Sequence, residues 1–191
     1  DEVMGDYKIQ LNKSQYKIIH NMIDTDMFNY EPKTKELRKH ILSIKPFASQ
    51  KYANDLTTKG IIELSKRKCF KDVEIDIYGQ GELFDSVNAP LKKFKNVHLH
   101  KTFLTQSEIS DIHKKHGVYI ATTRMDAQGV SRDEAMSSGL VPIASNCTAI
   151  PEFVDDNCGI LIPAESYVEI ADAIEKLYNN PELFLKLSEN A

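Results

Sequence analysis

The chain has no tryptophan and only three cysteines, Cys69, Cys147 and Cys158, among its 191 residues. None of the three falls in a CxxC pair, which excludes a disulfide framework or a cysteine-based zinc motif. Such sparse, odd-numbered thiols read as reduced side chains of a cytoplasmic protein. No apolar run approaches the roughly 20 residues of a membrane span, and no signal peptide is visible. A basic excess is missing too. Lysine and arginine number 24 against 28 aspartates and glutamates, a formal charge of −4, so phosphate neutralisation on a nucleic acid is excluded as the main activity. The basic run Lys92–Lys95 reads as a solvated helix face. There is no internal repeat and no low-complexity tract. What remains, 41% hydrophobic and 27% charged residues, is ordinary globular composition, and the length suffices for one well-buried core.

Residues 1–40 lack a regular rhythm. Tyr16–His20 reads as a short strand, and 32–39 as a linker or short surface helix that leads into the domain. From Ile41 onward, strands and helices alternate. Apolar runs predict strands at Ile41–Ile44, Val73–Tyr78, Val97–His100, Val118–Thr122, Leu140–Ala144 and Gly159–Ile162. Helical periodicity predicts Asn54–Lys66, Glu82–Phe94 with a break or kink at Pro90, Ser107–His116 with Ser107 as cap, Tyr167–Tyr178, and Pro181–Glu189. This order predicts an α/β fold, a Rossmann-like doubly wound parallel sheet. The expected domain spans 41–178, with 179–191 as a C-terminal helix.

The stretch Asp126–Gly139 carries the chemistry. It follows a buried strand, passes Gly129 and opens a helix that Gly139 closes. Unpaired amides at that helix start, Gly129, Val130 and Ser131, form an anion seat. Glu134, about one turn inside, can accept two hydrogen bonds from a vicinal diol such as a ribose. Phosphate on the amides and ribose on the acid point to a sugar nucleotide. The alternative is an ordinary helix with acids near its positive end.

An acid, seven residues, then Glu-Ala-Met and small residues before Gly resembles the EX7E signature of retaining GT-B glycosyltransferases. More narrowly it resembles glycosyltransferase family four, the "glycosyl transferases group 1". Ile18–Phe28 and Cys147–Val154 resemble two further family segments, with His20 and Met22 standing for a Pro and a Gly, and Thr148 and Ala149 for a Gly pair. The resemblance covers nearly the whole chain and implies the C-terminal, donor-binding half of a GT-B enzyme. It implies Glu134 on the donor ribose, with Asp126 (a Glu in most members) and Gln128 by the sugar. The donor is a nucleoside diphosphate sugar, with no cofactor and no metal. The acceptor, a carbohydrate or a lipid-linked group, belongs to an N-terminal domain through which the full-length enzyme can also meet a membrane surface. A chain that starts at Asp1 without that domain is expected to bind donor yet transfer little.

Other residues are weighed by position. Two cations after the first strand can clamp a diphosphate leaving group. Lys45 and Lys51 are the candidates, with Lys59 as an alternative to Lys51. Gly79 and Gly81 sit between a strand and a helix, as in a dinucleotide fingerprint, but Phe84 occupies the third glycine position. Gly79 is therefore a strand-to-helix turn first and a donor contact second. Thr102 and Phe103 lie on the loop that, by resemblance, runs along the base. Glu152 is read as helix chemistry after Pro151. His98 with His100, and His113 with His116, have spacings that suit a metal but are more simply surface or core residues. Two rival functions stay open: a non-catalytic nucleotide-binding module, and a nicotinamide-dependent oxidoreductase that rests on the GxG turn alone.

Overall fold

A computed structural model describes residues 8–191. Six strands form one sheet: β1 (His40–Ile44), β2 (Glu74–Gly79), β3 (Val97–Lys101), β4 (Val118–Ala121), β5 (Val141–Asn146) and β6 (Ile160–Pro163). All pair in parallel, in the order β3-β2-β1-β4-β5-β6. This is the doubly wound, Rossmann-like arrangement expected from the alternation of elements. The helices are α1 (Asn54–Leu64), α2 (Phe84–Asn88), α3 (Gln106–His113), α4 (Val130–Ser137), α5 (Val168–Asn179) and α6 (Pro181–Asn190).

Strand alternation divides the core between the two sheet faces. Ile41, Ile75, Val118, Ile120 and Ile143 face a layer containing Ile61, Leu64, Ile170, Ile174 and Phe184 from α1, α5 and α6. Leu42, Tyr119 and Ala144 face the other way, toward Ala135 and Met136 of α4. β4 is buried along its whole length, which explains why its sequence is an unbroken apolar run. α1 and α5 approach closely at Gly60, where an added Cβ would lie 2.8 Å from the Ile170 Cβ. The Lys59–Gly60 pair is thus a helix-packing feature. Lys59 itself points to Asp55 one turn back, at 3.6 Å.

Three elements differ from the sequence expectation. Tyr16–His20 is not a strand: no sheet edge meets it, and Ile18 and Ile19 are exposed. The helix expected over 82–94 is only α2 followed by a 3-10 turn at Ala89–Leu91, because Pro90 cannot donate to continue an α-helix. α3 begins at Gln106 rather than Ser107. Its cap is Thr105, whose hydroxyl accepts from the Glu108 amide at 3.3 Å while the Glu108 carboxylate accepts from the Thr105 amide at 2.7 Å, a reciprocal capping box.

The N-terminal segment is pinned onto the α3–α4 face. Phe28 is buried, Ser137 Oγ donates to its carbonyl at 2.5 Å, and Ser110 Oγ donates to the Met27 carbonyl at 2.7 Å. Lys33, read from sequence as part of a polar linker, is buried, and its ammonium donates to the His113 carbonyl at 2.8 Å. That carbonyl closes α3, where a cation meets the negative end of the helix. Burial still disfavours the charge and lowers the Lys33 pKa to about 8, against a smaller upward pull from Glu31.

Beside it, His113 is buried with Nε2 unpartnered and Nδ1 3.1 Å from Ser138 Oγ. Burial, and then the neighbouring Lys33 and His116 charges, push its pKa down to about 3. The fold therefore holds His113 neutral, whereas the unfolded chain protonates it near pH 6.5. Stability from this group is complete above pH 6.5 and is lost as pH falls toward 3. In urea denaturation between pH 7 and 4, His113→Gln should flatten the acid limb by up to about 1.4 kcal/mol per pH unit. Parallel limbs would contradict this role.

Candidate functional site

The strand order turns at the β1–β4 pair, so the loops leaving the carboxyl ends of these strands diverge and open a crevice. The β1 loop is 45–53 and the β4 loop is 122–129. Hydrogen bonds stitch them together at one side. Arg124 N donates to the Lys51 carbonyl at 2.8 Å, and Thr123 Oγ1 to the same carbonyl at 3.3 Å. Thr122 Oγ1 donates to the Ala53 carbonyl at 3.2 Å and sits 2.8 Å from Thr57 Oγ1. The Arg124 guanidinium forks onto both Asp55 carboxylate oxygens, at 2.8 and 3.0 Å, and reaches Glu165 at 2.8 Å. These partners hold Arg124 firmly charged.

The cleft they frame, about 70 Å³, is lined by Lys45, Tyr52, Thr123, Asp126, Gly129, Ser131 and Arg132, among others. A larger hollow of about 300 Å³ lies against α2, lined by Ser49, Gln50, Asn54, Asp55, Leu83, Ser86 and Val87. Its one carboxylate, Asp55, is already engaged by Arg124, so charged chemistry concentrates in the smaller cleft.

The local folding of α4 follows from two glycines. Gly129 (φ +85°) caps its start in the left-handed region, and Gly139 (φ +79°) closes it. Gly139 N donates to the Met136 carbonyl at 2.7 Å and Leu140 N to Ala135 at 2.9 Å, the paired bonds of a Schellman ending. The Val130 and Ser131 amides have no helical partner, the Arg132 amide donates to the Gly129 carbonyl at 2.9 Å, and Ser131 lines the cleft.

Lys45 is buried, and among the described residues its ammonium finds only the Tyr52 carbonyl, at 3.4 Å. Burial lowers its pKa to about 7, opposed by Asp126 and Cys147 and reinforced by the Arg132 charge. Lys51 is exposed on the following 3-10 turn, its ammonium 4.9 Å from the centre of the Tyr52 ring. Asp126 is half-buried at the mouth. Its backbone is clamped by Thr148: Asp126 N donates to Thr148 Oγ1 at 3.2 Å, and that hydroxyl donates back to the Asp126 carbonyl at 2.7 Å. Thr148 holds φ +48°, a conformation costly for a β-branched residue, which these two bonds offset.

Glu134 lies one helical turn beyond Ser131 on the same face of α4. It is buried, its carboxylate has no hydrogen bond or ion pair among the described residues, and burial, then Asp133, raises its pKa. Val130 is exposed at the first helical position.

Other expected site residues are placed differently. Gln128, expected by the sugar, is held by protein partners. Its side chain accepts from Asn21 N at 2.7 Å and donates to the Asn21 carbonyl and to Asp133, each at 3.0 Å. Both ends of the amide are committed to holding the N-terminal segment. Gly79 does not open onto the cleft. An added Cβ would meet the Lys45 carbonyl at 2.0 Å, and at Gly81 (φ +144°) the Phe47 backbone at 2.3 Å. The glycines let the β1 loop ride on the β2 loop, and no cradle for a pyrophosphate remains there. Thr102 lies outside the cleft, its amide donating to the Gly79 carbonyl at 3.1 Å, and Phe103 is exposed beside it. Three of the histidines meet carboxylates: His98 with Glu74 at 2.8 Å, and His100 and His116 with Asp76 at 2.7 and 3.1 Å. Among the described residues, no group of three or more His, Cys, Asp or Glu could hold a metal ion, and no helix is long and apolar enough to cross a membrane.

Arg132 and Thr148 went unassigned in the sequence reading. The only trace of either was a charged residue in a helix interior and a threonine where the resembling family has glycine.

A parallel doubly wound sheet with a cation-lined cleft at its switch point defines the class: an α/β domain that seats its ligand at the strand ends. The family described as "Glycosyl transferases group 1" matches residues 26–191, and the chain belongs to that family. It is similar to the GtfA subunit of UDP-N-acetylglucosamine--peptide N-acetylglucosaminyltransferase from Limosilactobacillus reuteri subsp. suis, 29% identical over 160 residues. That match takes in 76% of this chain, which spans about 30% of the relative's length. Among solved structures, the C-terminal domain of the glycosyl transferase group 1 family protein LpcC from Francisella tularensis matches with TM-score 0.74 and 20% identity, over 88% of this chain and 94% of that one. A mutant of S. aureus TarM, in complex with fondaparinux, alpha-GlcNAc-glycerol and UDP, matches with TM-score 0.74 and 21% identity, over 99% and 37%. The fold is that of a GT-B C-terminal domain.

The glycine packing yields a direct test. Gly79→Ala drives a methyl group into the Lys45 carbonyl and should destabilise the chain by about 1–3 kcal/mol, the usual cost of overpacking. Urea denaturation measures this, and an unchanged midpoint would refute the packing role.

Proposed function

We propose that this chain is the donor-binding domain of a retaining glycosyltransferase, which moves a hexosyl unit from a nucleoside diphosphate sugar to an acceptor without a metal ion. The observation that carries the reading is Glu134: a buried carboxylate with no partner, one turn from free helix amides and on the same helix face as the cleft residue Ser131. The carboxylate has no protein partner among the described residues, so its acceptor capacity is free for a ligand, and a ribose diol would supply two O–H donors to it. The amides of Gly129–Ser131 with Lys45 and Lys51 would take the diphosphate, and Asp126 would lie by the sugar. The sugar–phosphate bond breaks with its electron pair leaving on the diphosphate. That leaving group then accepts the acceptor's proton on the same face, which gives retention. Cationic side chains and helix amides stand where a divalent ion would otherwise balance the developing charge. Positioning and charge stabilisation, rather than a protein nucleophile, lower the barrier.

Two similar proteins, one a UDP-N-acetylglucosamine transferase subunit and one a complex with UDP, make uridine conjugates the first donors to test. The acceptor, a carbohydrate or lipid-linked group, is assigned to other parts of the whole enzyme. An oxidoreductase reading finds no support, since the GxG turn is filled by Phe47.

Calorimetric titration of UDP, GDP and ADP should show one diphosphate bound, and Glu134→Ala should weaken it at least tenfold, about 1.4 kcal/mol. Equal affinity in the variant would remove Glu134 from the ribose. A pH dependence follows from Lys45. Its pKa of about 7 would be raised by a bound diphosphate, so binding above pH 7 takes up a proton. Affinity should then fall between pH 7 and 9, by at most tenfold per unit, and Lys45→Met should abolish the slope along with part of the binding. A pH-independent affinity in the wild type would contradict this.

A further inference from the structure

The guanidinium of Arg132 is almost wholly buried, yet it is only partly satisfied. Nε donates to Asp133 Oδ1 at 3.0 Å, Nη2 donates to the Gln128 carbonyl at 2.5 Å and also contacts Asp133, and the group stacks 5.1 Å from the centre of the Phe153 ring. Nη1 has no partner among the described residues. It lies beneath Gly129, where an added Cβ would stand 3.0 Å away, and the side chain lines the same cleft as Lys45 and Ser131.

An unpaired donor on a buried cation is expensive, and two buried cations share this cleft with the half-buried carboxylate of Asp126 as its only lining acid. The missing partner is therefore an acceptor carrying negative charge. Asp133 and Gln128 fix the plane of the guanidinium before any ligand arrives, so Nη1 is preorganised. Lys45 and Lys51 are point charges, whereas a guanidinium presents directed N–H donors to phosphate oxygens.

We propose that Nη1 of Arg132 is the floor of the phosphate seat, donating to an oxygen of the diphosphate and positioning it against Lys45 and the α4 amides. The assignment rests on the nucleotide-sugar reading for the identity of the ligand, but not for the existence of an anion seat. Gly129 is then required twice, for its left-handed backbone and because a Cβ there would stand 3.0 Å from Nη1 and cover it.

Inorganic pyrophosphate and UDP, titrated calorimetrically into wild type, Arg132→Lys and Arg132→Gln, test this. The wild type should bind pyrophosphate, Arg132→Gln should bind it at least tenfold more weakly, and Arg132→Lys should fall between them. Arg132→Gln should keep near-wild-type affinity for neither probe. Where Arg132→Gln fails to fold, the guanidinium nitrogen resonances of Arg132 in the wild type decide: they should shift as pyrophosphate is added. Equal affinities in the folded variants, no pyrophosphate binding to the wild type, or unmoved resonances would each overturn the proposal. Arg132-dependent pyrophosphate binding with UDP no tighter would support the seat and count against the nucleotide-sugar reading. Tight UDP binding indifferent to Arg132 would do the reverse.

Discussion

The Lys51 carbonyl, shared by the amide of Arg124 and the hydroxyl of Thr123, is the joint on which the site depends. Parallel strands on either side of a switch point send their loops apart, and nothing in the sheet ladder sets the distance between them. Here the β4 loop is tied to the β1 loop by Thr122, Thr123 and Arg124, with Arg124 further locked to Asp55 and Glu165. Lys45, Asp126 and the start of α4 therefore hold a defined spacing without a ligand present. The GxG turn supports the same joint from below, because Gly79 and Gly81 leave room for Lys45 and Phe47.

Charge burial is the recurring cost of this arrangement. Lys45, Arg132 and Glu134 are all buried residues: Lys45 has one long carbonyl contact, Arg132 leaves Nη1 unmet, and the Glu134 carboxylate has no protein partner among the described residues. Each would be better stabilised by an anion or a diol than by the protein around it. Such strain is characteristic of sites that are organised before the ligand arrives. The helix ends, by contrast, are well met, as in the capping box at Thr105 and the Schellman ending at Gly139.

The N-terminal segment belongs to this machinery despite its irregular backbone. Gln128 grips the Asn21 peptide on both sides, and the same amide holds Asp133, which in turn orients Arg132. The path from Asn21 to the cleft is thus a continuous chain of hydrogen bonds. Lys33 and Phe28 anchor the segment farther along, at the carboxyl end of α3 and between α3 and α4.

Much of the fold was legible because its causes are local. Strands buried on both faces must be apolar throughout, amphipathic helices must repeat every 3.6 residues, and parallel pairing follows from their alternation. Asp126, Gly129 and Glu134 were legible for a similar reason, since a strand, a turn and a helix start are read from neighbouring residues. Pro90 marked its break correctly, but the short length of α2 did not show in its periodicity. By itself the sequence determined the order of elements, the start and end of α4, and which residue types lie near the strand ends. Tertiary structure alone decided that Gln128 turns away to hold Asn21, that Gly79 packs under Lys45, and that Lys33 and Arg132 are buried. Each of those outcomes depends on groups far apart in the chain, and a local pattern carries no record of which distant carbonyl or ring will fill the space.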